Sequence, residues 1–100
     1  MIIVTKTYTR LAVNVPFFVG NKATVDQHVS AQYQSAQPKI LSRTRQISSD
    51  LTTLTTKMTF INAAAESEYE NDSVVQAYLT ALQAYNDANN IIVTSDRIEQ

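Results

Sequence analysis

The stretch that decides the fold spans residues 39–61 and reads KILSRTRQISSDLTTLTTKMTFI. Both halves are rich in residues that favour strands, and Ser48-Ser49-Asp50 between them supplies the side chains typical of a turn. The sequence therefore predicts a hairpin of one strand over residues 39–47 and another over 51–61. Alternation along the second strand places on one face Leu54, Thr56, Met58 and Phe60.

A helix is predicted on each side of this hairpin. Thr24-Val25-Asp26-Gln27 has the form of a capping box, and the helix it opens, over residues 25–36, carries one apolar face of Val25, Val29 and Tyr33. Ser73-Val74-Val75-Gln76 is a second capping box. It opens the strongest helical pattern in the chain, whose apolar face holds Val75, Tyr78, Leu79, Leu82 and Tyr85.

Asparagine and aspartate residues mark the other helix ends. Asn62 is suited to cap a short helix that ends at Tyr69, and Asn71-Asp72 interrupts it. Asn89-Asn90 closes the strongest helix, since asparagine tolerates the left-handed backbone that often ends helices.

Strands at both ends of the chain complete the pattern. Residues 2–9 and 91–98 are rich in β-branched side chains. The order is then β-α-β-β-α-β, which is the ferredoxin-like α+β arrangement of one four-stranded antiparallel sheet with two helices on one face. We expect residues 1–100 to form a single domain, with the second and last strands at the sheet edges. Lys39, Arg43 and Arg45 are the charges that would protect the second strand from pairing with another chain.

An extended arm is predicted at about residues 11–22. Leu11, Val13, Val15, Phe17 and Val19 alternate with other residues, and Pro16 disfavours a central strand. Adjacent side chains of an extended segment point to opposite sides. Phe17 and Phe18 are therefore either both buried under a folded-back arm or divided between the domain and a partner, and the pattern does not separate these alternatives.

Composition argues against several classes of function. The net charge of −1 gives no field to attract nucleic acid, and no apolar run approaches the roughly 20 residues of a membrane span. Residues at the amino terminus do not resemble a signal peptide. The chain has no cysteine, one histidine and one glycine, so we expect no thiolate or histidine metal cluster, no phosphate-binding glycine loop and no cofactor.

Candidate catalytic residues are few. The carboxylates Glu66, Glu68, Glu70 and Asp72 are spaced two apart, so they do not share a helix face and are interpreted as a solvated helix start. His28 lacks a recognisable nucleophile motif, and the tyrosines on helices are interpreted as packing residues. We therefore predict that the chain is not an enzyme. The rival prediction, a cofactor-free oxygenase of the same fold, requires a deep apolar pocket between sheet and helices with His28 inside.

A resemblance to known proteins covers roughly residues 38–95. It is carried by Thr59-Phe60, by Glu68-Tyr69-Glu70-Asn71-Asp72, by Val74-Val75 and Ala77-Tyr78, and by Tyr85-Asn86 with Asn89-Asn90-Ile91. This pattern is similar to that of small structural proteins of tailed bacteriophages, in which a Gly often follows the Asn where this chain has Asn90. The resemblance implies a non-enzymatic virion subunit for capsid decoration, the neck or the tail, assembled in the host cytoplasm. The alternatives are a small dimeric binding or regulatory module and a cofactor-free monooxygenase-like enzyme.

Self-association is expected through two surfaces. One is the arm at Phe17 and Phe18, and the other is the start of the last strand at Ile91, Ile92 and Val93, an apolar edge with no protecting charge. The expected partners are copies of the same chain and other virion proteins, without nucleic acid or membrane.

Overall fold

Four strands and three helices follow one another in a computed structural model that describes residues 1–100. They are β1 (Ile2–Thr9), α1 (Lys22–Tyr33), β2 (Ile40–Ile47), β3 (Thr53–Phe60), α2 (Ala63–Glu70), α3 (Ser73–Ala88) and β4 (Ile92–Glu99). No helix combines the length and the apolar character needed to cross a membrane.

The strands form one antiparallel sheet in the order β2-β3-β1-β4. This confirms the predicted ferredoxin-like fold, with the second and last strands at the edges. The connection between β3 and β4 holds two helices rather than one, because the chain breaks at Asn71-Asp72 as predicted. The molecule therefore has three helices where the fold prediction counted two.

The helix ends confirm some predicted caps and correct others. Asn62 accepts a hydrogen bond from the Ala65 N–H at 2.8 Å, and Asn90 has the expected positive φ of 55°. The first capping box is wrong, since α1 begins at Lys22 and its N-cap residue, Asn21, makes no side-chain cap. Packing of its apolar face positions this helix instead, because Val25, Val29 and Tyr33 are all buried.

The cap of α3 lies one residue earlier than predicted. Asp72, rather than Ser73, precedes the helix, and its carboxylate accepts hydrogen bonds from the N–H groups of Val74 and Val75. A carboxylate is the better cap here because its negative charge also interacts favourably with the helix dipole.

The core is divided into two clusters at opposite ends of the sheet. The larger holds Ile2, Val25, Val29, Tyr33, Ile40, Phe60, Ala65 and Val75. The smaller holds Tyr8, Phe17, Leu54 and Ile91. Between the clusters, the helix-facing positions of the sheet carry polar side chains, notably Lys6 and Thr56, whose Cα atoms are paired in register. Apolar side chains therefore do not fill the space between the two clusters.

The segment of residues 10–21 differs from the predicted extended arm. It contains turns instead of a strand, and it folds back onto the domain. The Arg10 guanidinium fixes it by donating hydrogen bonds to the carbonyl oxygens of Leu51 and Val15 and by lying 4.4 Å from the centre of the Phe17 ring. Tyr85 donates a further hydrogen bond to the Pro16 carbonyl.

Candidate functional site

A cavity of about 440 Å³ lies between the sheet and the helices. This volume is in the range of small-molecule binding sites. Strands β1, β2 and β3 form its floor, side chains from all three helices form its roof, and Phe17 and Phe18 close one side. Twelve of its 21 lining residues are hydrophobic, so the cavity is apolar with a limited number of polar groups.

Three tyrosines supply part of that polar lining: Tyr8, Tyr69 and Tyr78. The hydroxyls of Tyr33 and Tyr85 are bonded to other protein groups, whereas those of Tyr69 and Tyr78 make no hydrogen bond within the chain. Burial raises the pKa of Tyr8 to about 12 and raises the pKa values of Tyr69 and Tyr78 as well. All three are therefore neutral at physiological pH, and the free hydroxyls of Tyr69 and Tyr78 can donate to an oxygen atom of a ligand.

Asn86 is the most buried polar residue of the lining. It is only 4% exposed, and its side-chain amide makes no hydrogen bond within the protein. No fully buried side-chain polar atom in the structure lacks a partner, so the atoms of this amide keep some accessible surface. An amide with no partner in the protein can bind a polar group of a ligand, since it offers both donor and acceptor atoms.

Four cations and two carboxylates also line the cavity. Asp26 accepts hydrogen bonds from Lys22 and from Arg43, the latter at 2.7 Å. Burial alone would raise the pKa of Asp26, but these two bonds hold it below the usual value. The remaining charged side chains are Lys6, Arg45 and Glu70, none of which forms an ion pair.

These cations change the interpretation of the second strand. Arg43 and Arg45 were predicted to protect a sheet edge, but they line the cavity. Their spacing could have indicated a shared environment, since residues two apart on a strand lie on the same face. Lys6 was missed as well, although a charged residue between Val4 and Tyr8 on a central strand was visible in the sequence.

The predicted interface residues occupy different environments. Phe17 and Ile91 are buried together in the smaller core cluster, and the Phe18 ring packs 5.6 Å from Tyr78 and 5.4 Å from Tyr85, measured between ring centres. Ile92 and Val93 are exposed on β4, an edge of the sheet. Both phenylalanines thus have a place within one chain, and their contact with a partner stays a prediction.

Gly20 allows Phe18 to take this position. Its φ is +49°, and a Cβ atom added there would lie 2.3 Å from the Phe18 ring. We expect Gly20→Ala to lower the free energy of unfolding by roughly 1–3 kcal/mol, from backbone strain and displacement of the ring. Thermal unfolding in a double-mutant cycle with Phe18→Ala measures the steric part, and the cost of Gly20→Ala should fall when Phe18 is absent. An unchanged cost would contradict this role for Gly20.

His28 lies outside the cavity, and so do Glu66, Glu68 and Asp72, whereas Glu70 is the one residue of the acidic run that lines it. The Asp72 carboxylate is 2.7 Å from Nε2 of His28 and accepts a hydrogen bond from the Tyr33 hydroxyl at 2.8 Å. Glu66 pairs with Arg97, and Glu68 pairs with Lys39. No group of three potential ligands is placed to hold a metal ion. The contacts of Asp72 and Glu66 thus join secondary-structure elements: Asp72 is bonded to α1, and Glu66 joins α2 to β4.

Comparisons with known proteins identify the fold. No family model matches the chain, and no curated protein matches it. It is similar to SnoaB, a cofactor-independent oxygenase from Streptomyces nogalater (TM-score 0.65, 13% identity, 99% of this chain and 91% of that one). It is also similar to a Deinococcus radiodurans protein described as an antibiotic biosynthesis monooxygenase (TM-score 0.62, 13% identity, 100% and 92%). A Bacteroides thetaiotaomicron protein described as a possible oxidoreductase has a TM-score of 0.64 at 14% identity, over 99% and 97% of the two chains.

These findings correct the prediction of function. The expectation of a non-enzymatic virion subunit is wrong, because two of the solved structures that share this fold are described as a monooxygenase and an oxygenase, and no match points to a phage structural protein. The cavity required by the rival oxygenase prediction is present between sheet and helices, although His28 is not among its lining residues.

Proposed function

We propose that this chain is an oxygenase that acts on a small electron-rich aromatic compound without a tightly bound cofactor. The observation that carries the proposal is the cavity, in which aromatic side chains surround a space closed by Phe17 and Phe18. Solved structures with the same fold include one described as a cofactor-independent oxygenase, which supports the reaction class.

The lining suits a phenolic substrate. Tyr8, Phe18 and Tyr78 offer ring surfaces for a flat aromatic molecule, and aromatic pairs of this kind favour tilted or stacked arrangements. The neutral hydroxyls of Tyr69 and Tyr78 can donate hydrogen bonds to a phenolate oxygen. Such bonds favour the charged form of the substrate and lower the pKa of its hydroxyl.

Glu70 is the carboxylate of the lining that is free to accept the phenolic proton. Asp26, the other carboxylate of the lining, is held by Lys22 and Arg43 and has a lowered pKa, which makes it a weaker base. Glu70 forms no ion pair. The phenolate then supplies electrons to dioxygen. For 1-naphthol, insertion para to the hydroxyl gives 1,4-naphthoquinone and water, with one atom of dioxygen in each product.

Oxygen consumption with 1-naphthol tests the proposal. We expect uptake of one dioxygen per naphthol and one labelled atom in the quinone when ¹⁸O₂ is used. Leu82→Trp fills the cavity from α3, and we expect it to lower the rate by about tenfold or more because the substrate loses its bound geometry. Ala84→Trp is the matched control, since Ala84 is exposed on the same helix and should leave the rate unchanged.

Two outcomes would contradict the proposal. One is binding of naphthols in the cavity with no oxygen uptake above the rate in buffer, which would indicate a binding module. The other is equal loss of activity in Leu82→Trp and Ala84→Trp, which would place the reaction outside the cavity. Thermal unfolding of both variants shows whether each remains folded.

A further inference from the structure

A row of three polar side chains crosses the floor of the cavity. In the sheet register, Thr56 on β3 is paired with Lys6 on β1 and with Arg45 on β2. All three line the cavity, so their side chains point to the helix-covered side of the sheet. Neighbouring strands are about 4.8 Å apart, which places the Cα atoms of Lys6 and Arg45 roughly 10 Å from each other. Both side chains are long enough to reach a group lying above Thr56.

The two cations of this row have no counter-ion in the chain. Lys22 and Arg43 are engaged by Asp26, whereas Lys6 and Arg45 form no ion pair. Lys6 is half-buried on a strand that has neighbours on both sides, and it lies between the apolar side chains of Val4 and Tyr8 on that face. A cation in such surroundings loses hydration and gains most from a bound anion.

A planar anion suits this pair of residues. The Arg45 guanidinium can bind both oxygens of a carboxylate with two parallel hydrogen bonds, and the Lys6 ammonium adds a point charge from the other side. Aromatic and apolar side chains surround the row, including Tyr8, Phe18 and Met58. The cavity thus combines a surface for an aromatic ring with a pair of uncompensated cations.

We propose that Lys6 and Arg45 form a subsite for a carboxylate carried by the aromatic ligand. The inference rests on the proposed function for the choice of a phenolic ligand, and it adds that the ligand is an aromatic acid. The acidic group is held above Thr56, and the ring of the ligand lies against the cavity-facing sides of Phe18 and Tyr78. The subsite selects acids over neutral aromatics of the same shape.

Binding of a matched pair of probes tests the subsite. The acid is 1-hydroxy-2-naphthoate and the neutral probe is 1-hydroxy-2-naphthamide, titrated by calorimetry without dioxygen so that binding is measured apart from turnover. We expect the unaltered protein to bind the acid about tenfold more tightly than the amide at low salt. Raising the salt concentration should weaken binding of the acid and leave binding of the amide unchanged.

Substitutions then locate the preference. Lys6→Met and Arg45→Met should each remove most of the preference for the acid while amide binding is retained. Lys57→Met is the matched control, because Lys57 lies on β3 next to Thr56 but does not line the cavity. It should bind both probes like the unaltered protein.

The outcomes separate this inference from the proposed function. Equal binding of acid and amide by the unaltered protein, or binding of neither, overturns the subsite. This comparison uses the unaltered protein alone, so it does not depend on whether a variant folds. An equal loss of preference in Lys57→Met and Lys6→Met also overturns it. Preferential binding of the acid without oxygen uptake in air supports the subsite and refutes the oxygenase.

Discussion

Replacing Phe17 with Ser is expected to lower the free energy of unfolding by about 3 kcal/mol, a loss typical of truncating a buried phenylalanine. Phe17 is only 9% exposed, and it packs with Tyr8, Leu54 and Ile91 in the smaller core cluster. The same change removes the ring that lies under the Arg10 guanidinium. Urea unfolding measures the loss, and Val19→Ser, at an exposed position of the same segment, should cost less than about 0.5 kcal/mol.

Sedimentation of the Phe17→Ser and Phe18→Ser double variant decides the alternative that the sequence left open. If the variant keeps the parent's stability but no longer self-associates, the phenylalanines belong to an interface and their role in the core is refuted. If it unfolds at much lower denaturant, Phe17 is a core residue. Exposed Ile92 and Val93 are then the part of the predicted interface that remains to be tested by substitution.

Replacing Asp72 with Ala is expected to cost roughly 2–4 kcal/mol, because a helix cap is lost and the partners of a carboxylate are left unpaired. Asp72 caps α3 through the N–H groups of Val74 and Val75. It also joins α3 to α1, because it accepts hydrogen bonds from His28 and from Tyr33, which is 2% exposed. Asp87→Ala, at an exposed position on the same helix, is the control and should change stability by less than about 0.5 kcal/mol.

The same carboxylate makes stability depend on acid pH. Burial alone would raise the pKa of Asp72, but hydrogen bonds from His28, Tyr33 and the backbone lower it to about 2, against an ordinary value of 3.8. A group with a lowered folded-state pKa stabilises the protein fully above its unfolded value and loses that effect as the pH falls through the folded value. We therefore expect Asp72→Asn to flatten the decline in stability between about pH 4 and 2. An unchanged decline would contradict this assignment.

The sequence predicted the fold well because its patterns are local. Alternation at Leu54, Thr56, Met58 and Phe60 identified the face of β3 that meets the helices, and all four residues line the cavity. Asn62 predicted its own helix start correctly, since a side-chain cap needs only the next three residues. The failed cap at Thr24 shows the limit, because tertiary packing of Val25 and Val29 determined where α1 lies.

The cavity could not be predicted in the same way. Its lining comes from three strands, three helices and the segment of residues 10–21, and a gap between them depends on how far apart these elements settle. Tyr69 and Tyr78 were interpreted as packing residues because a ring on an apolar helix face looks the same whether it meets other side chains or a ligand. Lys6 and Arg45 were the strongest indication of a cavity in the sequence, since each places a charge on a strand face that meets the helices.

The distribution of tyrosines gives the molecule an optical property. The chain has five tyrosines and no tryptophan, so its near-ultraviolet emission comes from tyrosine alone. Tyr8, Tyr69 and Tyr78 all line the cavity. A conjugated aromatic that enters the cavity and absorbs in this spectral region will quench most of that emission by energy transfer. The protein therefore reports occupancy of its own interior without a label, and compound collections can be screened against it by light alone.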